Sequence, residues 1–183
     1  GVGYGESFRF NGSDGQIQVI DNPSISGLSS ITLSIWLNAD SIGSDQTYWT
    51  KGSDSSNSNL EEWFMRLEAA GNLLSEFSDG NNRFRITTDQ ILSAGEWYHI
   101  VFLLDGNEVR KYINGQLLGS VDMSSSINDD SGPMLIGAQT DSGSSTQHFN
   151  GFLDDARIYN RALNNYEIWQ LYNLGRGYYW SED

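Results

Sequence analysis

The chain has 183 residues, with 24 acidic side chains against 10 lysines and arginines, a formal net charge of −14 and a pI near 4.2. That balance argues against nucleic acid and anionic membrane surfaces, which would repel it, and makes cations the natural partners. Cysteine is absent, so there is no disulfide framework and thiols say nothing of the redox compartment. No apolar run approaches the roughly 20 residues of a membrane helix, and no signal peptide opens the chain. Residues 1–183 therefore read as one domain with a large core, a monomeric module cut from something larger. An acidic, Ser/Gly/Asn/Asp-rich composition fits a secreted bacterial protein, extracellular or on the cell surface.

Residues 6–10 and 16–20 alternate polar with apolar positions around the turn Asn11-Gly12-Ser13-Asp14-Gly15, which predicts an opening β-hairpin. Residues 31–37 (ITLSIWL) form the clearest strand, with Ile31, Leu33, Ile35 and Leu37 on one face. Further strands are expected at 48–50, 63–67, 73–77 and 84–88, separated by polar turns. Residues 96–104 (EWYHIVFLL) lose their alternation from Ile100 onward, which predicts a mid-sheet strand buried on both sides. Asn114-Gly115 is the strongest hairpin signal, because a type I′ turn needs positive φ at both positions. A polar loop over 124–132 leads to a short apolar run at 134–137, a loop rich in oxygen ligands, and a strand over 149–159.

Asn164 followed by Glu167 has the form of a capping box and predicts a helix over 164–174, with Tyr166, Ile168, Trp169, Leu171 and Tyr172 giving it a broad apolar side and Gly175 ending it. About twelve short strands with one late helix imply an all-β fold, a two-sheet antiparallel sandwich of jelly-roll type with one short C-terminal helix.

On Phe10-Asn11-Gly12, residues 31–37, the block at 95–99 (GEWYH), Tyr112-Ile113-Asn114-Gly115 and above all residues 149–163 (FNGFLDDARIYNRAL), the chain resembles laminin G-like or concanavalin A-like jelly rolls of bacterial surface and polysaccharide-degrading proteins. That fold serves lectins, protein-binding modules and glycosidases alike. Residues 48–54 (YWTKGSD) and 136–142 (IGAQTDS) are in addition similar to the calcium-binding segments of pentraxins. This second resemblance implies a calcium ion held by Asp54, Gln139, Thr140 through its carbonyl, Asp141 and Gln147. Those residue types suit an ion that accepts six to eight oxygens from flexible loops. Gln139 stands where pentraxins usually have glutamate and Ser55 where they have asparagine, which implies weaker binding or a missing second ion. The wider superfamily also implies a structural calcium at Asp154, with carbonyls from around residues 10–12. Its competing role is a strand carboxylate bonded to neighbouring N–H groups.

Glycosidases of this fold carry a strand motif Glu-x-Asp-x-Glu, which this chain lacks. The adjacent pairs Glu61-Glu62 and Asp154-Asp155 point to opposite strand faces, and Glu76 and Asp79 straddle a turn. His99 is expected to be structural, while His148 lies beside Gln147 in the polar loop, where a ligand contact competes with an ordinary surface role. Trp49 and Trp63 flank the Asp54 loop, so stacking on a sugar competes with core packing, whereas Trp36, Trp97 and Trp169 are expected to be buried. The combined expectation is a calcium-dependent, non-catalytic module of an adhesin or lectin, binding a glycan or peptide on another cell or matrix surface through Asp54, Asp141, Gln147, His148 and Trp63. An accessory domain of a polysaccharide-degrading enzyme and a peptide-binding adhesin module are the alternatives.

Overall fold

The computed structural model describes residues 7–52, 61–89, 92–141 and 143–179, with the backbone alone from 176 onward. In chain order the strands begin with β1 Phe8–Asn11, β2 Ile17–Val19, β3 Ser30–Ala39, β4 Gln46–Lys51, β5 Trp63–Leu67, β6 Leu73–Ser78 and β7 Arg83–Thr87. They continue with β8 Trp97–Asp105, β9 Glu108–Ile113, β10 Gln116–Asp122, β11 Met134–Ile136, β12 Gln139–Asp141, β13 Ser144–Thr146 and β14 Asn150–Tyr159, and helix α1 follows at Asn165–Tyr179. A first sheet runs β1-β14-β3-β8-β9-β10 and a second β2-β11-β4-β5-β6-β7, while β12 and β13 form a small ribbon of their own. This is the antiparallel jelly-roll sandwich that the periodicity predicts.

The core lies between the sheets because period-two strands bring their apolar sets to one face. Ile31, Leu33, Ile35 and Leu37 of β3 are fully buried there, beside Ile100, Phe102 and Leu104 of β8. Trp63, Met65 and Phe77 meet them from the second sheet, and the Phe77 and Phe102 rings stack across the gap at 4.4 Å. The unbroken run in β8 has a second cause. Val101 and Leu103 point outward, where Leu163, Ile168 and Tyr112 cover them in a smaller apolar cluster under α1. β8 is thus an interior strand buried on both faces.

The capping box forms as the spacing predicts. Asn164 Oδ1 accepts the N–H groups of Tyr166 and Glu167 at 3.0 Å each, and Glu167 Oε2 accepts the Asn164 N–H at 2.9 Å. Thr32 ties the helix entry to the sheet, donating to the Arg161 carbonyl and accepting the Leu163 N–H.

Three expectations need correction. β1 and β2 are no hairpin: β1 pairs with β14 and β2 with β11, so the turn at 11–15 carries the chain from one sheet to the other. The turn itself is real, with Asn11 Oδ1 accepting N–H groups from Ser13, Asp14 and Gly15. Gly175 does not end the helix, which continues to Tyr179; a Cβ there would overlap the Trp36 indole, so the glycine permits close approach. Trp169 is 53 % exposed, because the helical period that turns Ile168 and Tyr172 to the sheet turns Tyr166 and Trp169 to solvent, where their rings stack at 6.1 Å.

His99 is structural, as expected. It lies beneath Tyr172 and beside Trp36, with Nε2 2.9 Å from Ser34 Oγ, and burial holds its pKa down to about 4. The unfolded chain therefore binds this proton first, and stability fully present above pH 6.5 is lost as pH falls toward 4.

Two outcomes follow. Asn164→Ala should cost about 1 kcal/mol in denaturant unfolding through loss of the cap, whereas exposed Trp169→Ala should stay within about 0.5 kcal/mol. Wild type should lose about 3 kcal/mol more than His99→Asn between pH 6.5 and 4. Parallel pH profiles for the two proteins would show that His99 titrates normally.

Candidate functional site

The polar segment before β14 is more ordered than a loop. Gln139 pairs with Thr146, Thr140 with Ser145 and Asp141 with Ser144, so the oxygen ligands stand on a two-stranded ribbon. Its base is pinned to β4, where Gly137 N–H donates to the Tyr48 carbonyl and Thr47 N–H to the Gln147 carbonyl at 2.7 Å, and its two ends are joined by Phe149 N–H donating to the Gly137 carbonyl. β4 is irregular between Thr47 and Trp49, and Thr47 bridges to His148 there.

Gln139 and Gln147 consequently converge. The Thr47 hydroxyl lies 3.1 Å from Gln139 Oε1 and 3.3 Å from Gln147 Oε1. A hydroxyl carries one proton and can serve only one amide oxygen at a time, so the place is rich in acceptors. Gln147 holds a φ of 47°, the left-handed region that a non-glycine residue adopts at some cost, and its side chain meets Gln139 at the Thr47 hydroxyl. The set of Gln139, Thr140, Asp141 and Gln147 offers only oxygens, which fits a hard cation such as calcium.

Asp54 lies outside the described residues, as does Ser55, so the geometry around Asp54 is open. On either side of residues 53–60, Lys51 and Glu62 form an ion pair with neither side chain exposed. Lys51 Nζ also meets Asp21 at 2.8 Å and donates to the Asp130 carbonyl at 2.9 Å. Burial pushes the Glu62 carboxyl up to about 7 against the pull of Lys51. No group of three or more His, Asp or Glu side chains placed to hold a metal occurs among the described residues. An ion on the ribbon would rest mainly on amide and carbonyl oxygens.

The remaining candidates separate. Trp63 is fully buried opposite Phe77, so its ring packs the core and is not available for stacking on a ligand; Trp49 is buried likewise. His148 is half-buried with Nε2 3.2 Å from Ser145 Oγ, while its Nδ1 is buried without a protein partner. Asp154 accepts the Asp155 N–H at 2.7 Å at a break in the β14–β3 register. Phe10 and Asn11 face Gly151 and Asn150, three and four positions along β14 from Asp154 and so about 10 Å or more away, and carbonyls at residues 10–12 do not stand beside it.

Of the paired acids, Glu62 is held by Lys51 and Glu61 lies 3.5 Å from Arg83. Glu76 is buried between Arg83 and Arg85 at 2.6 and 2.8 Å, and Asp155 pairs with Arg157. Each of these carboxylates is thus taken up in an ion pair of the scaffold.

One surface escaped the sequence. A groove of about 260 Å3 runs beside the ribbon, between Gln16 and Gln18 on one side and Thr140, Ser144 and Ser145 on the other, floored by Leu135. The alternation at residues 16–19 put the glutamines on an outward face; that β2 lies next to β11 and the ribbon was beyond local pattern.

Residues 11–169 match the profile of the family described as the concanavalin A-like lectin/glucanases superfamily. Among solved structures, a native heptameric SAP-like pentraxin from Limulus polyphemus is similar at a TM-score of 0.68 and 14 % identity, over 90 % of this chain and 80 % of that one. The CBM40 of a Ruminococcus gnavus IT-sialidase bound to alpha2,3 sialyllactose is similar at 0.69 and 15 %, over 79 % and 83 %. Domain 4 of AbnA, a GH43 extracellular arabinanase from Geobacillus stearothermophilus in complex with arabinotriose, is similar at 0.71 and 20 %, over 90 % and 75 %. At these identities the likeness is one of fold.

The strained backbone at Gln147 gives a direct check. Gln147→Val, β-branched at positive φ, should destabilise by about 1–3 kcal/mol in urea unfolding, and Gln147→Gly should cost less. The reverse order would mean that the left-handed conformation is not kept in solution.

Proposed function

The chain belongs to the concanavalin A-like lectin/glucanase superfamily, and we propose that it is a non-catalytic glycan-binding module whose site is the β12–β13 ribbon and the groove beside it. The observation that carries this reading is the convergence of Gln139 and Gln147 on Thr47, with Thr140 and Asp141 on the same ribbon. Gln139, Gln147, the Thr140 carbonyl and Asp141, joined by Asp54, would hold a calcium ion. Bound there, calcium accepts sugar hydroxyls directly and lets a surface of net charge −14 keep a ligand. The chain's own residues do the rest. Gln16, Gln18, Ser144 and Ser145 offer amide and hydroxyl groups for a sugar, and His148 sits at the foot of β13. A structural ion at Asp154 would have to draw its other oxygens from elsewhere than residues 10–12.

The setting that fits is a monomeric extracellular or cell-surface module of an adhesin or lectin, spanning residues 1–183 as one domain. The sialidase and arabinanase neighbours favour a second setting, an accessory domain of a polysaccharide-degrading enzyme, with the same site.

Calcium should raise the melting temperature of metal-stripped protein and excess chelator should reverse the rise, because the ion binds only the folded state. Magnesium should not substitute, since its octahedral demand suits these mixed loop oxygens poorly. Asp141→Ala and Asp54→Ala should abolish binding to glycan-array hits with unchanged circular dichroism. Equal affinity of Asp141→Ala and wild type by isothermal titration would move the site off the ribbon.

A further inference from the structure

The groove beside the ribbon has walls of one chemical kind. Period two turns Gln16 and Gln18 outward at β2, and the ribbon brings Thr140, Ser144 and Ser145 to the other side. Pro133 and Leu135 form an apolar strip between them, with Leu135 directly opposite Gln18 in the β11–β2 register. Each glutamine offers two N–H donors and a carbonyl acceptor, and each hydroxyl can donate and accept. Among the described residues no charged side chain and no aromatic ring lines the groove. At about 260 Å3 it lies below the roughly 300–1,000 Å3 of pockets for drug-sized molecules, so its occupant is small.

The cations of the chain are committed elsewhere. Every arginine whose side chain is described pairs with a carboxylate of the protein, as Arg83 and Arg85 do with Glu76 and Arg110 with Asp105. Lys51 faces Met134, between Pro133 and Leu135, but its side chain is fully buried against Glu62 and Asp21. The buried Lys111 ammonium donates to the Leu73 and Ile86 carbonyls. Arg176 belongs to α1, which lies against the first sheet, whereas the groove is on the second. Residues 1–6, 53–60, 90–91, 142 and 180–183 contain no lysine or arginine.

We propose that this groove selects uncharged sugars and rejects sialylated and uronic-acid ones, an inference that rests on reading it as the glycan site. A neutral sugar sets its C–H face on Pro133 and Leu135 and its hydroxyls against the amides and serines. A carboxylate in the same place would give up water with no cation to offset its charge, in the field of a protein of net charge −14. Asp141 and Asp54 together would already neutralise a calcium ion on the ribbon, so the ion would favour hydroxyls over a third carboxylate.

The test is an array of matched glycan pairs probed with the 183-residue protein in calcium at neutral pH. Neutral oligosaccharides stand beside their acidic counterparts, such as lactose beside sialyllactose and galactotriose beside trigalacturonate. The neutral members should bind, and the acidic ones at least about tenfold more weakly, because a charge left unpaired at an interface is penalised. Gln18→Lys, at an exposed position, supplies the missing ammonium and should raise binding of the acidic members at least about tenfold with unchanged circular dichroism. Equal or tighter wild-type binding of the acidic members would overturn the selectivity and leave the glycan module standing. No gain from Gln18→Lys would overturn it too, by moving the contact off the groove. Binding of no member of any pair would overturn both this inference and the function it rests on.

Discussion

The rest of the structure depends on the double burial of β3 and β8. Their inward faces supply the inter-sheet core, and their outward faces hold Thr32, Ser34, Trp36, His99, Val101 and Leu103 under or beside α1. Each fully buried Leu, Ile or Phe is worth about 1.5–3 kcal/mol, so these two neighbouring strands carry a large share of the apolar stabilisation. Their register, Ile35 opposite Ile100, then sets every other strand of the first sheet through β14 on one side and β9 on the other. The helix extends this centre outward: Tyr172 stacks on Trp36 at 5.8 Å, and Gly175 brings the backbone down onto the same indole.

Polar groups enter this apolar frame where a loop must be held. The Lys51–Glu62 pair joins the residues that flank 53–60 and gathers Asp21 and the Asp130 carbonyl from two other segments. Removing water from two charges is costly, and only close partners offset it, so such a pair is poor evidence of stability and better evidence of position. Lys111 plays a comparable part between β9 and the second sheet, where burial lowers its pKa to about 7 and the Leu73 and Ile86 carbonyls accept its hydrogen bonds. The ribbon is tied to β4 by hydrogen bonds through Thr47 and Gly137.

What was legible in the chain was whatever has a local period or a local bond. The alternation of residues 31–37 placed four core side chains correctly, Asn114-Gly115 made its turn with φ of 51° and 77°, and the Asn164–Glu167 box formed bond for bond. What was not legible depends on partners far away in sequence. The turn at 11–15 is written in Asn11, but nothing local says that it crosses between sheets. Trp169 and Ile168 are equally apolar to a composition count, and only the direction in which the helix meets the sheet separates an exposed ring from a buried one. The candidate site divides the same way. Gln139 and Gln147 were nominated by resemblance and come together, Trp63 was nominated by proximity to a loop and belongs to the core, and the Gln16–Gln18 side of the groove needed the β2–β11 pairing to become a surface at all.

β2 shows how one short strand can serve a surface and the core. Its three residues and the glutamine before it are too few to stabilise an edge strongly, and among the described residues no strand pairs with its outer side. Period two nevertheless sends Gln16 and Gln18 to the polar groove beside the ribbon and Ile17 to the inter-sheet layer. Slipping its pairing with β11 by one residue would exchange these sets, putting an apolar residue among the ribbon hydroxyls and an amide into the core. The pairing of Ile17 with Ile136 and Val19 with Met134 resists that slip, because both partners face the inter-sheet layer. The chemistry of the groove is therefore set by the same apolar contacts that close the sandwich.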